Sequence, residues 1–182
     1  MAISNYAFQP RRWNNRFDDL QTVTGLFGSF SDSVFTPAAC DAGFLCNKGD
    51  GIPEGGAYMT AAANGSAKLY ACNPTDVERL SDANNTWAVG VETLGLGARA
   101  GVKAPFTEIK EGETYAFGPA NFTTLVTTTN KFATVTNGKL VGAAAAPESG
   151  WYFELDAELG IDNFVEGNYN AFARYNLVAK HI

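Results

Sequence analysis

From about residue 34 onward the chain is a succession of short apolar and β-branched runs separated by turn residues, among them one Asp-Gly and two Asn-Gly pairs. Such pairs supply the positive backbone φ angles that tight hairpins need, and runs this short cannot form stable helices in water. The candidate strands are 42–46, 57–61, 67–72, 87–94, 113–117, 132–136, 139–142, 151–158 and 173–179. Spacing of this kind predicts an all-β fold, an antiparallel β-barrel or β-sandwich. The sharpest signal is Thr134-Val135-Thr136-Asn137-Gly138-Lys139-Leu140-Val141, which reads as a two-residue hairpin; Asp50-Gly51 and Asn64-Gly65 are read as further tight turns. One short helix is expected over 74–81, with Asn73 as N-cap, Pro74 at the first position and Asp76 and Glu78 near its positive end. The run Gly142-Ala143-Ala144-Ala145-Ala146-Pro147 is bounded too closely by Gly and Pro to be a helix of consequence.

The first residues differ. Gln9-Pro10-Arg11-Arg12-Trp13-Asn14-Asn15-Arg16-Phe17 follows neither the helical nor the strand period, and Pro10 disfavours a helix interior. Residues 1–33 are therefore expected to form an extended N-terminal arm ahead of a β domain over 34–182. The competing reading makes this stretch the first strand and loop of the domain, with a solvated arginine cluster. As an arm, its anchoring side chains are Tyr6, Phe8, Arg11, Arg12, Trp13, Arg16 and Phe17, because rings and guanidinium forks dominate protein interfaces.

Composition limits the partners. A net charge of −6 disfavours a protein that lies along nucleic acid, and no stretch approaches the roughly 18 apolar residues of a membrane span. The start has no run of signal-peptide length, so the chain is expected to be made and kept in the cytoplasm until assembly. Cys40, Cys46 and Cys72 are odd in number, so a complete internal disulfide set is impossible; three buried thiols are the default, with a Cys40–Cys46 or Cys46–Cys72 bridge as the alternative. With His181 as the sole histidine and no CxxC pair, neither a metal nor another cofactor is expected.

Catalytic patterns are weak. Phe153-Glu154-Leu155-Asp156-Ala157-Glu158-Leu159 alternates so that a strand would carry its three carboxylates on one face. Paired acids can serve glycoside hydrolysis or calcium, but the same row is what the wet face of a half-buried strand looks like. Gly95-Leu96-Gly97-Ala98-Arg99-Ala100-Gly101 lacks the Walker lysine and reads as a surface loop. Asn47-Lys48-Gly49-Asp50-Gly51 lacks the closing glutamate of a calcium loop and reads as a turn. No enzymatic activity is expected.

The arginine- and aromatic-bearing start, followed by a β domain containing Ile109-Lys110-Glu111-Gly112-Glu113-Thr114-Tyr115 and the Phe132–Val141 hairpin, resembles the capsid decoration proteins of tailed bacteriophages, also called cement or head-stabilising proteins. The resemblance covers roughly residues 100–160 and the arm. It implies a virion protein on the outer surface of the head, bound to the major capsid protein, homo-oligomeric and often trimeric, with no catalytic residues to carry over. A tail- or fibre-associated component and a carbohydrate-binding module, with exposed rings stacking on glycans, are the alternatives.

Overall fold

The computed structural model describes residues 8–12, 22–50, 57–73, 97–166 and 169–182. The strands are β1 Phe8–Arg12, β2 Thr22–Ser31, β3 Val34–Pro37, β4 Cys40–Asp41, β5 Leu45–Asp50, β6 Ala57–Ala61, β7 Tyr70–Cys72, β8 Gly97–Ala98, β9 Ala104–Glu108, β10 Thr114–Phe117, β11 Phe122–Thr124, β12 Phe132–Thr136, β13 Lys139–Ala143, β14 Trp151–Leu155, β15 Ile161–Glu166 and β16 Tyr169–His181. The all-β expectation holds. Among the described residues the sole helical element is a 3₁₀ turn at Pro119–Asn121; the helix expected over 74–81 and the strand expected over 87–94 lie outside the described residues.

Two sheets carry the structure. In one, β2-β6-β5-β7-β9 closes on itself through the β2–β9 pairing into a barrel, with β3 appended to β2. Its ladder is antiparallel except for β2 with β6, where Gly25, Leu26 and Phe27 run parallel to Ala57, Tyr58 and Met59. The other sheet has the order β1-β10-β16-β14-β12-β13-β11, with β15 hairpinned onto β16. The small β4–β8 ladder stands apart.

Side-chain alternation explains how the sheets meet. Successive residues of a strand point to opposite faces. On β5, Cys46 enters the barrel interior with Met59, Tyr70, Cys72, Ala104 and Phe106. Its neighbour Leu45 points outward, joining Leu69, Ala71, Ile109, Tyr115, Phe117, Phe153 and Leu177 in the core between barrel and large sheet. β7, Tyr-Ala-Cys, is therefore buried on both faces and reads as a continuous apolar run, whereas on β5 this holds only for Leu45 and Cys46, and Lys48 is exposed.

Asn137-Gly138 forms the expected two-residue turn: Thr136 faces Lys139, and Asn137 and Gly138 have φ of 48° and 75°. This turn also docks on the barrel. Leu45 N–H donates to Gly138 O at 2.9 Å, Gly138 N–H donates to Ala62 O at 2.8 Å, and the Phe44 ring occupies the space a Cβ at 138 would need. Of the other two turn expectations, Asp50 faces Ala57 in the β5–β6 ladder and Gly51 lies outside the described residues. Asn64-Gly65 turns without positive φ and joins no hairpin, because β6 and β7 flank β5 instead of pairing with each other.

The boundary at residue 33 is also corrected. It falls inside a hairpin in which Ser31 faces Val34 across Asp32-Ser33, both in the left-handed region at φ 49° and 65°. β2 is a barrel strand, and β1 forms the edge of the large sheet with Phe8, Gln9 and Pro10 opposite Phe117, Ala116 and Tyr115. Pro10 is tolerated because an edge strand has one open side where its missing N–H breaks no ladder bond.

Candidate interaction surface

The structure separates the side chains expected to anchor an arm. Phe8 is 1% exposed, its ring stacked on Tyr115 at 5.7 Å and tilted against Phe117 at 5.5 Å. It is a core residue, not a free anchor: strand alternation from β1 turns it under the sheet edge, where aromatic burial outweighs exposure. Arg11 and Arg12 belong to β1, with a register shift between Pro10 and Arg12. Tyr6, Trp13, Arg16 and Phe17 lie outside the described residues.

An apolar surface appears instead on the β2–β3 hairpin. Phe30 is 47% and Val34 64% exposed, and Phe35 and Tyr58 are half-buried. Phe30, Phe35 and Tyr58 form a triangle, with centroids 5.2 Å (Phe30–Phe35), 4.7 Å (Phe30–Tyr58) and 5.9 Å (Phe35–Tyr58) apart. Two glycines make room for it. The Tyr58 ring lies over its cross-strand partner Gly49, and the Phe35 ring covers Gly28, where an added Cβ would come within 2.7 Å of Phe35 Cζ. A two-stranded ribbon is marginal alone in water, so this cluster anchors the projecting hairpin to the barrel's outer face. The available signal was the alternation Ser29-Phe30-Ser31 and Val34-Phe35-Thr36 around Asp32-Ser33, a turn pair without glycine.

The acidic row is rearranged. β14 ends at Leu155, so the expected single strand face through Glu158 does not exist. Asp156 is 5% exposed and structural: its Oδ2 accepts from Thr114 Oγ1 at 3.0 Å, and its Oδ1 accepts from the Glu158 and Leu159 N–H groups, each at 2.9 Å. That carboxylate competes with the strand for local backbone donors and turns the chain. Glu154 stays on the sheet surface, bridged to Lys131 at 3.3 Å and Lys180 at 3.8 Å. The buried Glu108 meets Lys68 and Lys110, each at 3.1 Å.

Other motifs resolve into structure. Asn47–Asp50 are strand residues of β5, so the turn reading there is corrected. Gly97 and Ala98 form β8 against Asp41 and Cys40, correcting the loop reading at those two positions. His181 is exposed and packs edge-on against Trp151 at 4.9 Å. The three cysteines are buried and not joined in a disulfide. Burial pushes the Cys40 and Cys46 thiols upward, which disfavours the thiolate that metal binding or nucleophilic attack requires. Burial likewise pushes Tyr115 up to about 12, against the lowering effect of the Lys110 N–H that donates to its oxygen at 2.9 Å. No group of three or more metal-ligating side chains fit to hold an ion exists among the described residues, nor a helix long and apolar enough to cross a membrane.

Comparison with protein-family models, with curated proteins and with solved structures found no match.

Proposed function

We propose that this protein is a non-enzymatic structural component of a phage-like virion that binds the outside of the capsid, with the major capsid protein as its partner. One observation carries the reading: the exposed Phe30 and Val34 stand together on the β2–β3 hairpin, where Phe30 joins Phe35 and Tyr58 in one aromatic cluster. Projecting apolar residues on a rigid barrel suit attachment to another protein surface. Among the described residues the buried carboxylates, Glu108 and Asp156, are engaged by lysines, a hydroxyl and backbone N–H groups, so their chemistry supports the fold. The segments that resemble decoration proteins form the approach to β10 and the β12–β13 hairpin, both part of the large sheet.

Glycan binding has less support, because stacking on a sugar needs flat ring faces, and Phe30, Phe35 and Tyr58 meet at 44° to 73°. The deciding experiment is co-sedimentation with assembled shells lacking the protein. Saturable binding at a copy number matching the capsid lattice is expected. Binding at only a few sites per particle would move the protein to the tail or fibres, and no binding with glycan-array signal would replace the reading.

A further inference from the structure

The β2–β3 hairpin has an open side as well as an aromatic face. β3 ends its sheet, and among the described residues no strand pairs with its outer edge. In a two-residue hairpin the flanking residues, here Ser31 and Val34, exchange both backbone hydrogen bonds, and the next pair, Phe30 and Phe35, exchanges none. The N–H and C=O of Phe35 therefore point outward from the hairpin.

Monomeric proteins blunt such edges with short strands, Pro, lysines, inward charges or bulges. β3 is four residues long and ends in Pro37, which confines a ladder to a few residues, but Val34-Phe35-Thr36 carries no charge and pairs with β2 without a bulge. Charge favours self-pairing at this place. The chain carries a net charge of −6, so contacts between copies are in general repulsive, yet Asp32 is the sole charged side chain between residues 22 and 40.

We infer that β3 is a homodimer contact, pairing antiparallel with β3 of a second copy about a two-fold axis at Phe35. In this register the two Phe35 residues exchange both backbone hydrogen bonds, and Val34 of each copy lies beside Thr36 of the other, a β-branched pair suited to adjacent strands. The axis is perpendicular to the sheet, so the Phe30–Phe35–Tyr58 clusters of both copies fall on one face and meet across it. The two Asp32 carboxylates go to opposite ends, about 20 Å apart along the strands, beyond the screening length at physiological salt. Such a contact closes at two subunits, in contrast to the trimer that the decoration-protein resemblance implies.

Sedimentation equilibrium of the full chain over a concentration series tests this, with two double variants at exposed positions. Val34→Lys with Thr36→Lys sets lysine beside lysine at both crossings and should weaken dimerisation at least tenfold; Val34→Lys with Thr36→Glu sets opposite charges there and should restore it. Hydrogen exchange of the unaltered chain provides a measurement free of mutation: the Phe35 amide should gain protection with rising protein concentration. A wild type that stays monomeric or forms trimers, double variants that associate equally, or a Phe35 amide protected only when shells are added would each overturn the inference, the last by assigning the edge to the capsid.

Discussion

Replacing Phe8 by Ala measures whether the N-terminal strand is part of the folded core. The ring is 1% exposed and lies against Tyr115 and Phe117, so truncation removes a buried aromatic and its ring pairs. Core Phe→Ala changes cost about 3–5 kcal/mol. Among the described residues β1 pairs with β10 alone, so it can partly detach and relieve the cavity, which places the expected cost near the lower end, about 3 kcal/mol. For a chain of this size each kcal/mol moves the melting temperature by about 2–4 °C, giving a fall of about 6–12 °C in differential scanning calorimetry. Ile182→Ala is the control: that side chain is 58% exposed, and its loss should change stability by less than about 0.5 kcal/mol. Deleting residues 2–12 should cost at least as much as Phe8→Ala, because it also uncovers Tyr115 and Phe117. If Phe8→Ala shifts the melting temperature no more than Ile182→Ala does, β1 is not docked and residues 1–12 form a detached arm.

Gly138→Ala should destabilise by at least about 2 kcal/mol in urea unfolding, because Ala at φ +75° is strained and its Cβ meets the Phe44 ring; an unchanged midpoint would mean the turn is not docked on the barrel. Native protein at pH 8 should react with a thiol-specific chromogenic reagent far more slowly than urea-unfolded protein, in which all three cysteines react, and reductant should leave the melting temperature unchanged. Rapid reaction of the native state would contradict the burial of the thiols. Tyr115 has a folded pKa pushed up to about 12 from an ordinary value near 10, so its contribution is fully present below pH 10 and is lost as pH rises toward 12. Tyr115→Phe should flatten that part of the stability-versus-pH curve, and an unaltered slope would assign the alkaline loss to other groups.

Strand existence was legible where alternation and glycine turns coincide. Ala57–Ala61 and Phe132–Thr136 have the predicted bounds, and Asn137-Gly138 sits where its backbone angles require it. Strands containing proline were not legible. Pro10 in β1 and Pro105 in β9 broke the local pattern, although an edge position and a strand start accommodate them. The acidic row failed for a different reason: local alternation cannot reveal that Asp156 has Thr114 and two backbone N–H groups waiting for its carboxylate, one of them from β10 far away in sequence.

By itself, then, the sequence determined the secondary-structure class, the burial expected of the three thiols and the position of one hairpin, all set by local sterics, turn chemistry and composition. Only the tertiary structure decided that Phe8 is core, that Cys46 and Leu45 serve two different cores, and that Phe30, Val34 and Phe35 stand at an open edge. Those outcomes depend on which strands become neighbours. Neighbour choice is a property of long-range pairing and register, where one residue of slip exchanges every inward side chain for an outward one.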